Sequence, residues 1–313
     1  MIIKLERDQM GAELAELTTL IESLPANDYL SRLGLESRRD EVQHKFMTLV
    51  DHEEYRAKVA LYFGGEPVFG SKGVKADFGS KAVGSFQDLL SKVWVATEGG
   101  QLLPMGPIRD RSAAQLHITN LVHGSFGFLL EELDAQGEPM FKTALCKAAD
   151  QTAEYIASFA GENEDSFSSV IEDLNPRVFQ SLREFFGCIH KNNATFRLVE
   201  GSRDFKFDHL AVERAWSRAE NSNIDEEQTQ VRGKLLGVIP IGRRFEFQPD
   251  GGATIIEGKV GEQFSNTYLE RISTQQFAGR RWNALFHKRM IAKTGRAPAE
   301  KFTLLELDEI GAE

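Results

Sequence analysis

Over residues 8–24, Leu14, Leu17, Ile21 and Leu24 recur at helical spacing, and Pro25 ends the run. A second amphipathic helix is predicted from Ser37, which with Asp40 approximates a capping box ahead of the stripe Val42, Phe46, Leu49. Two such helices either pack on their own domain or pair with a second copy of the chain. From Tyr55 the period shortens. "RAKVALYFGGEPVFGS" reads as a strand, a Gly-Gly turn and a short second strand.

"SKAVGSFQDLLSKVWVATEGG" then predicts a helix starting near Gly79 or Ser80 that buries Val83, Phe86, Leu90 and Val93 or Trp94. The proline- and charge-rich "LLPMGPIRDRSAA" is a loop. "QLHITNLVHGSFGFLLEEL" is the best strand signal in the chain, broken at Gly124-Ser125. Residues 140–191 are helical, and Asn175-Pro176 opens the last helix with proline in its first turn. "ATFRLVEGSRDFKFD" is a hairpin, a helix covers Ala211–Ala219, and the acidic "ENSNIDEEQTQ" reads as a linker. Beyond it lie five strand-like runs, a "PDGG" turn and one short helix near Tyr268–Phe277. The predicted fold class is α+β. It has an N-terminal helical pair (1–54), a central mixed α/β domain (55–221) and a five-stranded SH3-like or OB-like barrel (228–313).

Composition narrows the function. The 313 residues are 41% hydrophobic, which supplies full cores, and the 22 phenylalanines carry no polar handle and belong inside. A net charge of −10 removes any general attraction to nucleic acid or anionic lipid, so a nucleic-acid site would need a local basic patch. Cys146 and Cys188 are in no C-x-x-C and read as buried free thiols of a reducing compartment. "MIIKLERDQM" is too polar for a signal peptide, and no run approaches the ~20 apolar residues of a membrane span. A cytoplasmic location is expected.

Chemical motifs are few. Gly65 and Gly70 have phosphate-loop spacing, but Ser71-Lys72-Gly73 follows in the wrong order and Pro67 removes an N–H where donors should converge. The expected reading is a turn whose glycines supply positive φ, with Ser71 and Lys72 as phosphate candidates only if it is not. Gly70-Ser71 and Gly124-Ser125 each begin G-S-x-G. Phe69 and His123 stand where a nucleophile elbow needs a small residue. His117 and His123 each begin H-x-[ST], and with Ser125 they complete the phosphate candidates. In one continuous strand they would be ~20 Å apart. Glu131-Glu132 is an acidic pair of the kind that follows many strands. His44, His52, His190, His209 and His287 are scattered, so no metal site and no cofactor is expected. In "GRRWNALFHKRMIAKTGR", Arg281, Asn283, His287, Arg289 and Lys293 alternate onto one strand face, with Arg243, Arg244, Arg280, Arg296 and Lys301 nearby. This is a candidate nucleic-acid face of the barrel, with Trp282 and Phe286 pointing inward.

"LIESLPANDYLSRLGLESR", "PVFGSKGVKADFGSKAVGSFQ", "IRDRSAAQLHITNLVHGSFGFLLEE", "LNPRVFQSLREFF" and "GKLLGVIPIGRRFEF" together resemble a family of uncharacterised bacterial proteins across most of the chain. That resemblance implies no activity and no catalytic residue. Bacterial proteins of this build serve in multi-gene systems, anti-phage defence among them, which is an association and not a physical argument. The expectation is a non-catalytic binding or assembly component. It would have a protein partner, or self-associate through the N-terminal helices, and would have no membrane contact. The alternatives are a nucleic-acid-binding accessory subunit and, third, a nucleotide or phosphate-ester enzyme.

Overall fold

A computed structural model describes the chain except residues 1, 26, 50–53, 99–101, 103–105, 109, 123–125, 134–136, 138, 253, 275–279, 295–296 and 311–313. The chain forms two compact units, Met1–Ala219 and Glu220–Glu313. No described helix is long and apolar enough to cross a membrane.

The first unit is built on a five-stranded sheet in the order β4-β5-β1-β6-β7, antiparallel throughout. Its strands are β1 (Lys58–Gly65), β4 (His117–Val122), β5 (Phe126–Glu131), β6 (Ala194–Glu200) and β7 (Arg203–Phe207). The central strand β1 is buried from Val59 to Phe63. Leu61 faces Phe128 on one side and Leu198 on the other, which puts the large apolar residues of all three strands on one face.

Helices α3 (Ala76–Thr97), α4 (Ala144–Ala160), α5 (Glu164–Asp173), α6 (Pro176–Lys191) and α7 (His209–Glu220) accompany the sheet. Their starts are fixed locally. Thr143 accepts from the Cys146 N–H, Asn163 from those of Asp165 and Ser166, and Asn175 from that of Arg177, with Pro176 in the first turn. Edge-to-face phenylalanines fill the helix–sheet interface. Phe78 meets Phe63 at 5.3 Å and Phe185 meets Phe196 at 5.3 Å, and between α4 and α5 Phe159 meets Phe167 at 5.1 Å. On the opposite sheet face Ile2 and Leu5 pack on Ala60, Tyr62, Leu129 and Val199. These residues belong to the N-terminal helix α1 and its approach, and α1 (Ile3–Ser23) forms a hairpin with α2 (Tyr29–Thr48).

The structure moves two predicted helix starts. Asp28 caps α2 by accepting from the Ser31 N–H, so Ser37 and Asp40 lie mid-helix. Helix α3 starts at Ala76, and its Gly79 is a packing glycine: a Cβ there would sit 3.1 Å from Val74 Cγ1.

In the second unit five strands close into a barrel with the ring order β10-β12-β11-β8-β9. These are β8 (Ser222–Ile239), β9 (Arg244–Pro249), β10 (Ile256–Val260), β11 (Arg281–Lys293) and β12 (Ala299–Glu309). Helix α8 (Asn266–Thr274) falls between β10 and β11. The β10–β12 pair is parallel and the others are antiparallel. Leu235, Phe245, Phe247, Trp282, Phe286 and Leu304 fill the interior, and Leu269 and Ile272 of α8 join them. Gly258 permits the closest strand approach, since a Cβ would meet Phe302 O at 2.0 Å.

The expected linker is not one. Residues 222–230 are the first half of β8 and pair with β11 from Ser222↔Lys293 to Gln230↔Leu285. Asp225–Gln228 are exposed, so this half-strand has no apolar alternation to reveal it.

Phe186 is fully buried, with its ring 6.2 Å from Phe159 and 5.6 Å from Phe185. Phe186→Ala is expected to cost about 3–5 kcal/mol, read as a lower urea midpoint with an unchanged m-value.

Candidate functional site

The glycine loop folds onto itself. Strands β2 (Val68–Phe69) and β3 (Gly73–Val74) form a small hairpin whose tip is Gly70-Ser71-Lys72. Gly65 and Gly70 have φ of +85° and +56°. The Lys72 N–H donates to Phe69 O at 3.0 Å and the Lys75 N–H to Pro67 O at 2.8 Å, so two of the loop's donors are already engaged. Ser71 and Lys72 are exposed on the tip.

His117 lies on β4 opposite Glu131, whose carboxylate accepts from the Thr119 hydroxyl at 2.5 Å. His123 and Ser125 lie outside the described residues. Glu132 accepts from the Ala57 N–H and the Thr143 hydroxyl, which makes it a structural tie. Among the described residues no group of three His, Cys, Asp or Glu is placed to hold a metal ion. Burial pushes the Cys146 thiol up to about 12 and raises that of Cys188, so neither is poised as a thiolate.

The expected basic face of the barrel carries matching acid. Arg289 and His287 lie 2.9 and 3.5 Å from Glu226, Arg281 lies 2.6 Å from Asp250, and Arg280 lies 2.6 Å from Glu309. Arg243 donates to the Gly261 and Phe264 carbonyls and to Asn266 Oδ1, holding the segment that enters α8. Arg244 stands exposed opposite Lys259, and Lys293 pairs in register with Ser222. Arg296 lies outside the described residues. The face is mixed in charge because Glu226 and Glu227 belong to β8 and not to a linker.

Two buried polar clusters had no signal in the sequence. In the first, the Ser181 hydroxyl donates to Asp88 at 2.9 Å and accepts from Lys92 at 2.5 Å, and Lys92 also pairs with Asp88 at 2.7 Å. A serine beside a lysine has the form of a nucleophile–base pair. Here Ser181 is 1% exposed and both it and Lys92 are engaged by Asp88, so the cluster ties α3 to α6.

In the second, Arg203 binds Glu200, Asp150 and Glu154 at 2.5, 2.8 and 2.7 Å, and Lys142 binds Asp150 at 2.9 Å. Burial and the neighbouring Asp150 push the Glu200 carboxyl up to about 7, against the pull of Arg203. Burial also raises Asp150, but hydrogen bonds from Glu200 and Lys142 outweigh it and leave that carboxyl below its usual range. Glu200 is thus the carboxyl of the pair that holds its proton more readily, and Asp150 the one that gives it up, at the contact between α4 and the β6–β7 turn. The Lys4 N–H docks on Gly201 O of the same turn at 3.4 Å.

Among the described residues, the groove with the largest volume and a mixed cationic and aromatic lining is open to solvent. It runs between α3 and α6, encloses about 880 Å³, and is floored by Trp216 of α7. Helix α6 lines it with Gln180, Arg183, Glu184, Gly187, Cys188 and Lys191, one continuous helical face. Helix α3 adds Lys81, Gly84 and Ser85. Gly187 seats the floor: a Cβ there would lie 2.8 Å from Trp216 Cζ3. His190 stacks on the indole at 5.6 Å and the Lys191 ammonium lies 5.7 Å from its centroid. At Gly84 an added Cβ meets nothing within 4 Å, so the groove is open on the α3 side. None of Lys81, Arg183 and Lys191 makes an ion pair with a described residue, whereas Arg197, Arg203 and Arg218 each do. The spacing of residues on α6 was present in the sequence. The third wall was not, because it comes from α7.

No protein-family model matches the chain, and no curated protein or solved structure is significantly similar to it.

Folded Glu200 titrates near 7, above the ordinary 4.5. Its contribution to stability is therefore full below pH ~4.5 and is lost as pH rises through about 7. Asp150, with a lowered pKa, contributes above its ordinary value and loses that contribution in acid. Thermal melts should show wild-type stability declining between pH 5 and 8 on the order of 1–2 kcal/mol. Glu200→Gln, which mimics the protonated acid against Asp150 and Arg203, should flatten that slope.

Proposed function

We propose that this protein is a non-catalytic assembly component that self-associates through α2. The observation that carries the reading is the outer face of that helix. Tyr29, Leu30, Leu33 and Met47 are 77, 86, 66 and 74% exposed, while Val42 faces α1 and is buried. Leu30, Leu33, Ser37, Asp40, His44 and Met47 follow one heptad stripe with apolar ends and a polar centre. In a parallel pair Asp40 would confront Asp40 of the partner copy. A two-fold antiparallel pair sets Leu30 against Met47, Leu33 against His44 and Asp40 against Ser37, so apolar meets apolar and no like charges confront each other. A bacterial multi-protein system, anti-phage defence among them, is the setting that the sequence resemblance implies, and a cytoplasmic location is part of the same reading.

A second reading rests on strand order. A five-stranded ring in which the third and fifth strands are parallel and a helix joins the third to the fourth supports an OB-type barrel over an SH3-like one. OB barrels take oligonucleotides on the face of their second and third strands. Here that face is β9–β10, where Arg244 opposes Lys259 and Glu246 opposes Glu257. Two cations and two carboxylates without an outward aromatic favour a protein ligand over a polyanion.

Light scattering on the purified full chain should give a dimer mass, and Leu30→Glu with Leu33→Glu should give a folded monomer whose melting temperature no longer rises with protein concentration as the wild type's does. A monomeric wild type at ~100 μM, weaker than any assembly contact of use here, would end this reading. For the barrel, single-stranded oligonucleotide binding that weakens steeply with salt and is lost in Arg244→Glu with Lys259→Glu would establish the second reading instead.

A further inference from the structure

We infer that the groove between α3 and α6 binds an acidic peptide segment of a partner protein. This stands independently of α2 pairing, since none of the groove residues lies on α1 or α2.

Charge is the first argument. The chain carries ten more acidic than basic side chains, 47 against 37, yet this groove gathers Lys81, Arg183 and Lys191 against Glu184 alone. Elsewhere in the same unit arginines at comparable depth are held by carboxylates, as Arg197 is by Asp204 and Arg203 by Asp150 and Glu154. Cations that pair with no described carboxylate beside a concave surface are available to an external anion.

Shape is the second argument. Arg183 and Lys191 are eight residues apart on one helix, which is ~12 Å along its axis. One small anion would engage one of them. Carboxylates carried on a chain can engage both, and also Lys81 across the groove. Between the charged rims the lining is small or apolar (Gly84, Gly187, Cys188 and Trp216), which suits an apolar side chain placed between the acidic ones.

Glu184 argues for peptide over nucleic acid. It accepts from Gln180 at 3.0 Å and sits one residue from Arg183, within the cationic row. A uniform phosphate backbone would meet it as a like charge, whereas a mixed peptide meets it with a backbone N–H or a lysine.

The test is a display library of random twelve-residue peptides selected on the full chain, run in parallel on two variants. Gly84→Leu adds a side chain into open space on an exposed helix position, and leucine is a better helix former than glycine, so the variant should fold and block the groove. Arg183→Glu with Lys191→Glu reverses the rim. Equal melting temperatures confirm that both are folded. The expected result is enrichment on the wild type of peptides with at least two acidic residues around an apolar one. Their binding should fall about tenfold or more in each variant and weaken with added salt. The inference is overturned by no enrichment, by enriched peptides without acidic surplus, or by binding that Gly84→Leu leaves unchanged. It is overturned in favour of nucleic acid if a short single-stranded oligonucleotide binds and both variants abolish that binding.

Discussion

The packing of α6 against the sheet is the constraint on which the first unit depends. Val178, Phe179, Leu182, Phe185, Phe186 and Ile189 are all buried, and Phe185 and Phe186 meet Phe196 of β6 at 5.3 and 6.3 Å. An apolar stripe of that width fixes the helix about its own axis, because rotation by one residue would expose a phenylalanine and bury a charge. With the inner face fixed, the outer face has no freedom left. Arg183, Glu184, Gly187, Cys188 and Lys191 must point away from the sheet, and they form one wall of the groove. The core and the candidate ligand surface are two sides of one helix.

The same helix shows what the sequence makes legible. Its start at Asn175-Pro176 and its inner stripe follow from capping and periodicity alone. So do the β6–β7 hairpin and the five runs of the barrel, each bounded by turn residues. Local signals fail where an element takes its stability from a distant partner. The first half of β8 has polar residues on both sides, so neither period appears. It is a strand because β11 offers Arg289 and Lys288 to Glu226 and Glu227 and completes the ladder. Reading it as a linker removed those acids from the neighbourhood of the cations on β11 and so made that face look basic.

Glu200 illustrates the limit for chemistry. In sequence it is one more glutamate at the end of a strand, next to a glycine turn. Its environment comes from Asp150 on α4, fifty residues earlier, and from burial to 5% exposure. No spacing rule connects those positions. The groove is legible by half, since i, i+3, i+4, i+7 spacing on α6 is visible, but the Trp216 floor depends on Gly187 letting α7 approach.

Electrostatics orders what remains. In a strongly acidic chain, carboxylates outnumber their partners, so a cation within reach of a carboxylate is ordinarily neutralised by it. The barrel obeys this: Arg289, Arg281 and Arg280 face Glu226, Asp250 and Glu309. The exceptions are then informative. Lys81, Arg183 and Lys191 make no ion pair with a described residue although they border a concave surface, where like charges focus their field. Arg183 and Lys191 stand ~12 Å apart, beyond a Debye length, so the row costs the fold little and each cation is available to an anion outside the chain. The surplus of Lys81, Arg183 and Lys191 over Glu184, beside a floor made by Trp216, is what separates this groove from the ordinary surface between two packed helices.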